Sequence, residues 1–177
     1  MNNTLEVKLL SENATMPERH HDTDAGFDIY ASETKILEPQ DKAKIKTDVA
    51  VNIPKGYVGL LTSRSGVSSD SNLVIETGKI DAGFQGHMKI NIKNDIESLE
   101  NWNSHNFHWS PIGIDGKYIE RPKKDENLVM EGSYLINKGD KLAQLVIVPI
   151  LTPGLQKVDE FSNETARGQN GFGSTGI

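Results

Sequence analysis

Cysteine is absent from the 177 residues, so disulfides and thiolate metal sites are excluded and a cytosolic compartment fits. No apolar run approaches the roughly 18 residues of a membrane span. The opening MNNTLEVKLLSENA lacks a basic region followed by an apolar block, so no secretory leader is expected. Positive charge is also short: 19 basic against 25 acidic residues leave a net charge of −6. General affinity for nucleic-acid backbone needs a broad basic surface and is therefore not expected. A polyanion would have to be gripped by a few well-placed cations. Arginine is limited to Arg19, Arg64, Arg121 and Arg167, and two of these sit beside glycine and hydroxyl residues, in SRSG and ARGQNG. The lysines read as general surface.

What is present suits one domain with a real core. Hydrophobic residues make up 36% and charged residues 25%, as in an ordinary soluble globule. The patterning is that of strands. Ala43, Ile45, Thr47, Val49, Val51 and Ile53 alternate with mostly polar neighbours, which predicts a half-buried strand over 43–53. The PKG at 54–56 reads as a turn into YVGLL. Met88, Ile90 and Ile92 alternate again, and LVIVPI at 145–150 is apolar on both faces, as expected of a strand covered by the core or by another subunit. Shorter strands are expected at Leu5–Leu9, Phe27–Ala31, Lys35–Leu37, Leu73–Ile75, Tyr134–Ile136 and Leu155–Phe161. Many short strands with turns between them indicate an all-β sandwich or barrel. Helix is scarce, with short candidates after Arg64 and near DIESLENW. Asp95–Ser133 differs from the rest, holding Trp102, Trp109, His105, His108 and the polar cluster ERPKKDEN; it reads as an insertion on the barrel. Its tryptophans are either packed or await a partner. The tetrapeptide DAGF recurs at 24–27 and 81–84, which chance also explains.

Several groups can carry chemistry, each with a plainer structural alternative. Arg167-Gly168 with Gly171, Gly173, Ser174 and Thr175 can clamp phosphate: glycines let backbone N–H groups converge on an anion, and Arg adds a planar fork. The alternative is a disordered terminus, and a tail ordered only by its ligand satisfies both. No Lys precedes Ser174, so this is not a Walker A loop. In SRSG, Arg64 and Ser65 can meet a second phosphate or simply form a polar turn. Asp28 in AGFDIYA and Asp81 in GKIDAGFQG are acids in apolar company, costly unless paired or functional. Asp81 can deprotonate a water and Asp28 can hold a water of hydrated Mg²⁺; capping a turn is the alternative for each. His20-His21 reads as a solvated loop.

In order, AGFDIYA, SRSGVS, GKIDAGFQGHMKINIKN, GDKLAQLVIVPI and RGQNGFGSTG resemble the five motifs of the trimeric deoxyuridine triphosphatase (dUTPase) family, and the long insertion is similar to that of staphylococcal phage dUTPases. The resemblance implies an all-β, jelly-roll-like barrel over 1–165, interrupted by the 95–133 insertion. It implies a flexible glycine-rich arm over 166–177, and a homotrimer with sites shared between subunits. It implies Mg²⁺-dependent hydrolysis of dUTP to dUMP and pyrophosphate, limiting uracil in DNA and supplying dUMP, in the cytoplasm of a cell or phage host. Asp81 would be the general base and Asp28 would contact the hydrated metal. Arg64, Ser65 and Gly66 would meet the phosphates with Gln144 nearby, and Asp140 would steady Arg64. Gly78, Lys79 and Ile80 would form the uracil hairpin, with Lys89 a further substrate contact. The arm would bring Arg167, Phe172, Gly173 and Ser174. Phe84 stands where the family usually has a Tyr packed under the sugar; Gln85 and Ser63 replace a common Arg and Pro. A second reading is a nucleotide-dependent regulator binding a pathogenicity-island repressor through the insertion or the active site. A deoxycytidine triphosphate deaminase is disfavoured by the complete glycine-rich tail.

Overall fold

The alternation over 43–53 survives in burial but not as one strand. Ile45, Thr47, Val49, Val51 and Ile53 are all nearly or fully buried. The chain breaks after Lys46 into β4 (Lys42–Lys46) and β5 (Val49–Asn52). The cause is Asp48, whose φ of 51° lies in the left-handed region that non-glycine residues seldom enter. The kink sends the two halves to different partners.

A computed structural model describes residues 4–97, 107–108, 110–120, 128–166 and 168. Before the break come β1 (Glu6–Leu9), β2 (Gly26–Tyr30) and β3 (Lys35–Leu37). After it come β6 (Tyr57–Ser63), the six-residue helix α1 (Ser65–Asp70), β7 (Leu73–Ile75), β8 (Gly78–Asp81) and β9 (Lys89–Asn94). The described parts of 95–133 add two-residue strands, β10 (Phe107–His108) and β11 (Val129–Met130). β12 (Tyr134–Ile136) and β13 (Lys141–Pro149) complete the set. Four strands form one sheet in the order β2-β13-β6-β8, three form another as β4-β9-β7, and β1-β5, β3-β12 and β10-β11 pair separately. All these pairings are antiparallel, so the chain is a nearly all-β barrel, as expected. No helix among the described residues is long and apolar enough to cross a membrane.

The expected strands at 5–9, 27–31, 35–37, 73–75 and 134–136 are present within a residue of their predicted ends. PKG does form a turn, with Tyr57 N–H donating to Pro54 O (3.1 Å). The expected strand at 155–161 is absent, and no described strand follows Pro149. Leu151, Leu155 and Phe161 are 90% or more exposed: no neighbouring edge among the described residues supplies a ladder there. β13 is likewise only half covered, since Val146, Ile147 and Val148 are partly exposed. The core is formed by Ile29, Leu37, Ile45, Ile90, Ile136, Leu142 and Leu145 among others. Of the two helix candidates, α1 follows Arg64 as predicted; the one near DIESLENW falls mostly outside the described residues.

Candidate active site

Three neighbouring strands bring one group of expected residues together. The ladder sets Asp28 on β2 opposite Gln144 on β13, and Gln144 opposite Thr62 on β6. Arg64 leaves the end of β6 and stands at the N-terminal boundary of α1. Its Nε lies 2.8 Å from Asp28 Oδ1, and its Nη1 donates to Lys141 O at 3.4 Å. Gln144 Nε2 donates to Ser63 O (3.3 Å). Ser65 and Gly66 form the exposed first turn of α1, where N–H groups have no partner within a helix.

Lys141, which is not among the residues that the resemblance implies, sits inside this group. Its Nζ is 3.0 Å from Asp28 Oδ2, 3.4 Å from Glu18 Oε1 and 5.4 Å from the centre of the Tyr30 ring. The Asp28 carboxylate holds the Lys141 ammonium in its charged form and pushes its pKa up. Tyr30 donates to Glu18, which pulls the Glu18 carboxyl down together with Lys141, while burial and Glu18 push the Tyr30 hydroxyl up. The signal was present in GDKLAQ, where Lys141 lies between two residues singled out for the site. One buried carboxylate thus faces two cations, and with Glu18 on Lys141 the cluster sets two acids against two bases.

Asp140 is placed differently from expectation. Among the described residues it makes no ion pair with Arg64; its Oδ2 accepts from Asn137 N–H (2.7 Å), and Asp28 takes the arginine instead. The reason is the 137–140 turn: Asp140 O is tied to Ala31 N–H (2.9 Å), and the side chain folds back to cap its own turn. Burial pushes its carboxyl up.

A second group forms on β8 and the hairpin after it. β8 pairs with β6 so that Gly78 faces Leu61 and Asp81 faces Val58. Lys79 and Asp81 are exposed, whereas the Ile80 side chain is buried in the core at 8% exposure. Phe84 N–H donates to Asp81 O (3.1 Å), and the Phe84 ring is 47% exposed. That ring rests on Gly86: a Cβ there would come within 2.7 Å of its edge. Lys89 opens β9 opposite Lys46 and is exposed. Arg167, Phe172, Gly173 and Ser174 lie outside the described residues.

The two groups sit at opposite ends of β6. Arg64 follows Ser63, while Asp81 pairs with Val58, six residues earlier; at about 3.3 Å per residue the separation along the strand is roughly 20 Å. One chain therefore does not bring Arg64 and Asp81 onto one small ligand. The chain also encloses a cleft of about 310 Å³ lined by Leu5, Val7, Val51 and Leu145, with Arg19 stacked 4.0 Å over the Phe27 ring. It contains none of the residues above. Among the described residues no three His, Asp or Glu side chains cluster in a manner fit to hold a metal unaided.

Comparison with known proteins gives one answer. The dUTPase family model matches residues 12–99 and 131–176 and leaves 100–130 unmatched. The deoxyuridine 5'-triphosphate nucleotidohydrolase of Clostridium tetani is 31% identical over 98% of this chain and 97% of its own length. The dUTPase of Staphylococcus bacteriophage 80alpha with dUPNHPP superposes with a TM-score of 0.90 at 58% identity, over 99% of this chain and 100% of that one. Phage dUTPases are there said to control transfer of virulence genes by a proto-oncogenic G protein-like mechanism. A D95N mutant of the dUTPase from phage phi11 of S. aureus, reported to coordinate a structural Mg(II) ion, gives a TM-score of 0.84 at 58% identity, over 91% of this chain and 100% of that one.

Proposed function

The chain belongs to the dUTPase family, and we propose from that membership that it hydrolyses dUTP to dUMP and pyrophosphate in sites shared between copies of itself. The observation that supports a shared site most is the distance along β6 between the Arg64 group and Asp81. In a homotrimer, the Arg64 end of one copy faces the Asp81 hairpin of the next. Apolar residues exposed in the single chain, Leu151, Leu155 and Phe161, fit the same assembly, because exposed apolar surface of this kind marks an interface.

In this reading residues 1–165 form the barrel domain and 166–177 an arm that closes over the ligand. Arg64, Ser65 and Gly66 receive the phosphate chain beside Gln144. Lys141 holds the second Asp28 oxygen. Mg²⁺ supplies charge neutralisation on the triphosphate and would meet Asp28 through a water, since the ion keeps several waters. Asp28 already faces two cations, which suits an ion that arrives with the polyanion. Uracil is read by the main chain of Gly78, Lys79 and Ile80; Ile80 can offer nothing else, its side chain being in the core. Phe84 packs under the deoxyribose and Lys89 is a further contact. Asp81 orients a water and takes its proton as the oxygen attacks the α-phosphate; pyrophosphate leaves. Arg167, Gly173 and Ser174 close on the γ-phosphate and Phe172 covers the base. Such a reaction rests on positioning and charge neutralisation more than on covalent help. The regulatory reading has no support from the described residues and is not adopted.

The test is incubation of the purified protein and Mg²⁺ with dUTP, dTTP, dCTP or UTP. Pyrophosphate is released from dUTP alone or nearly so; equal release from all four, or none, contradicts the proposal.

A further inference from the structure

Between Asp81 and β9 the chain has little stiffness of its own. Gly83 has φ 92°, Gly86 has no side chain, and Gln85 reaches only an exposed bond to Asn52 Oδ1 (3.1 Å). The firm attachment is His87. Its Nε2 accepts from two successive backbone N–H groups, Thr47 at 3.3 Å and Asp48 at 2.9 Å. These are the residues at the β4–β5 break, where the left-handed Asp48 turns adjacent N–H groups toward one point, a concavity that ordinarily holds an anion. Here a ring nitrogen fills it. The neighbouring bonds fix the same spot: Thr47 Oγ1 donates to Met88 O (2.7 Å) and Met88 N–H donates to Val49 O (2.9 Å). Accepting these donors uses the Nε2 lone pair. The other group at hand is the Asp48 carboxylate, 3.3 Å from Nε2, which is itself bonded by Ser11 Oγ (2.6 Å).

His87 is joined directly to Gly86, and Gly86 is the surface on which the Phe84 ring lies, with no room for a Cβ between them. We propose that His87 is a specificity-positioning residue: by docking into the Thr47–Asp48 break it fixes Gly86, and through Gly86 the height and tilt of the Phe84 ring that meets the sugar. The inference rests on the dUTPase reading, but it concerns discrimination between deoxyribose and ribose and not the presence of hydrolysis. It also gives the strained Asp48 conformation a purpose, since a straight strand over 43–53 would offer no paired N–H groups to the ring.

The experiment compares kcat/KM for dUTP and for UTP in the wild type, His87→Leu and His87→Gln, each checked for cooperative thermal unfolding. Leu fills the space without an acceptor, whereas the Gln side-chain oxygen reaches the Nε2 position. His87→Leu is expected to lower the dUTP-to-UTP ratio by about tenfold, consistent with loss of a positioning contact, and His87→Gln to restore it to within about threefold of wild type. Should His87→Leu not fold, His87→Asn, whose oxygen stops short at the Nδ1 position, carries the same expectation. An unchanged ratio in a folded Leu or Asn variant overturns the inference, as does failure of Gln to restore it. A wild type inert toward dUTP would instead sink the underlying assignment, and the two failures are distinct.

Discussion

Asp28 carries two cations on one carboxylate, and its environment decides what the site can bind. With Arg64 on one oxygen and Lys141 on the other, the carboxylate is neutralised by its neighbours and holds both cations where, in the proposed site, the phosphate chain would lie. Charge-assisted bonds of this kind also fix geometry. Replacing Lys141 with Met should therefore raise KM for dUTP by about three- to tenfold while kcat changes less; steady-state kinetics read both. In the proposed mechanism Asp81 has a different task, that of the general base. Asp81→Asn keeps the shape but cannot take a proton, so turnover should fall by about 10²- to 10⁴-fold while a non-hydrolysable dUTP analogue still binds in calorimetry. Asp140 gives a pH test. Burial raises its carboxyl above the ordinary value of 3.8, so the folded protein holds that proton more tightly than the unfolded chain does. The contribution is favourable at low pH and fades as pH rises through the window above 3.8. Asp140→Asn keeps an oxygen for Asn137 N–H and removes the ionisation. Its unfolding midpoint should gain on the wild type as pH rises above 3.8; a gap constant with pH would contradict this.

Among the elements, what could be read from the sequence followed from period-two burial. Met88, Ile90 and Ile92 pointed inward because a strand turns every second residue to the same side, and β9 does so. The same rule found the buried Ile45, Thr47, Val49, Val51 and Ile53 but not Ala50, and it missed the break, where the Asp48 N–H donates to a histidine 39 residues later. No local pattern contains that partner. Leu155–Phe161 spaces three apolar residues among four polar ones but has no edge among the described residues to pair with, and propensity alone does not form a ladder. Lys141 was missed because its role comes from Asp28, 113 residues earlier, brought across a strand pair. The turn at 113–117 shows how tightly part of the insertion is seated. Gly116 has φ 75°, and a Cβ there would fall 1.9 Å from Asp70 O at the end of α1. Gly116→Ala should destabilise the fold by about 1–3 kcal/mol from backbone strain and overlap, visible as a lower unfolding midpoint. An unchanged midpoint would mean that the turn is not held against α1.

For the molecule as a whole, the family resemblance made the five motifs legible and implied shared sites, but not which end of which strand each motif occupies. Motif order along the chain says nothing about which ends of a strand meet. The pairing of β6 with β8 and β13 supplies that information by setting Arg64 and Asp81 roughly 20 Å apart along one strand. The account thus requires each working site to draw Arg64 and Asp81 from different copies. Mixing two inactive variants tests it most directly: Arg64→Gln and Asp81→Asn proteins, each near-silent alone, are unfolded together in equal amounts and refolded. If the sites are shared, random assembly joins an intact Arg64 to an intact Asp81 in about a quarter of them, and about a quarter of wild-type pyrophosphate release returns. If each chain carries a complete site, every site stays defective and the mixture is no more active than its parts.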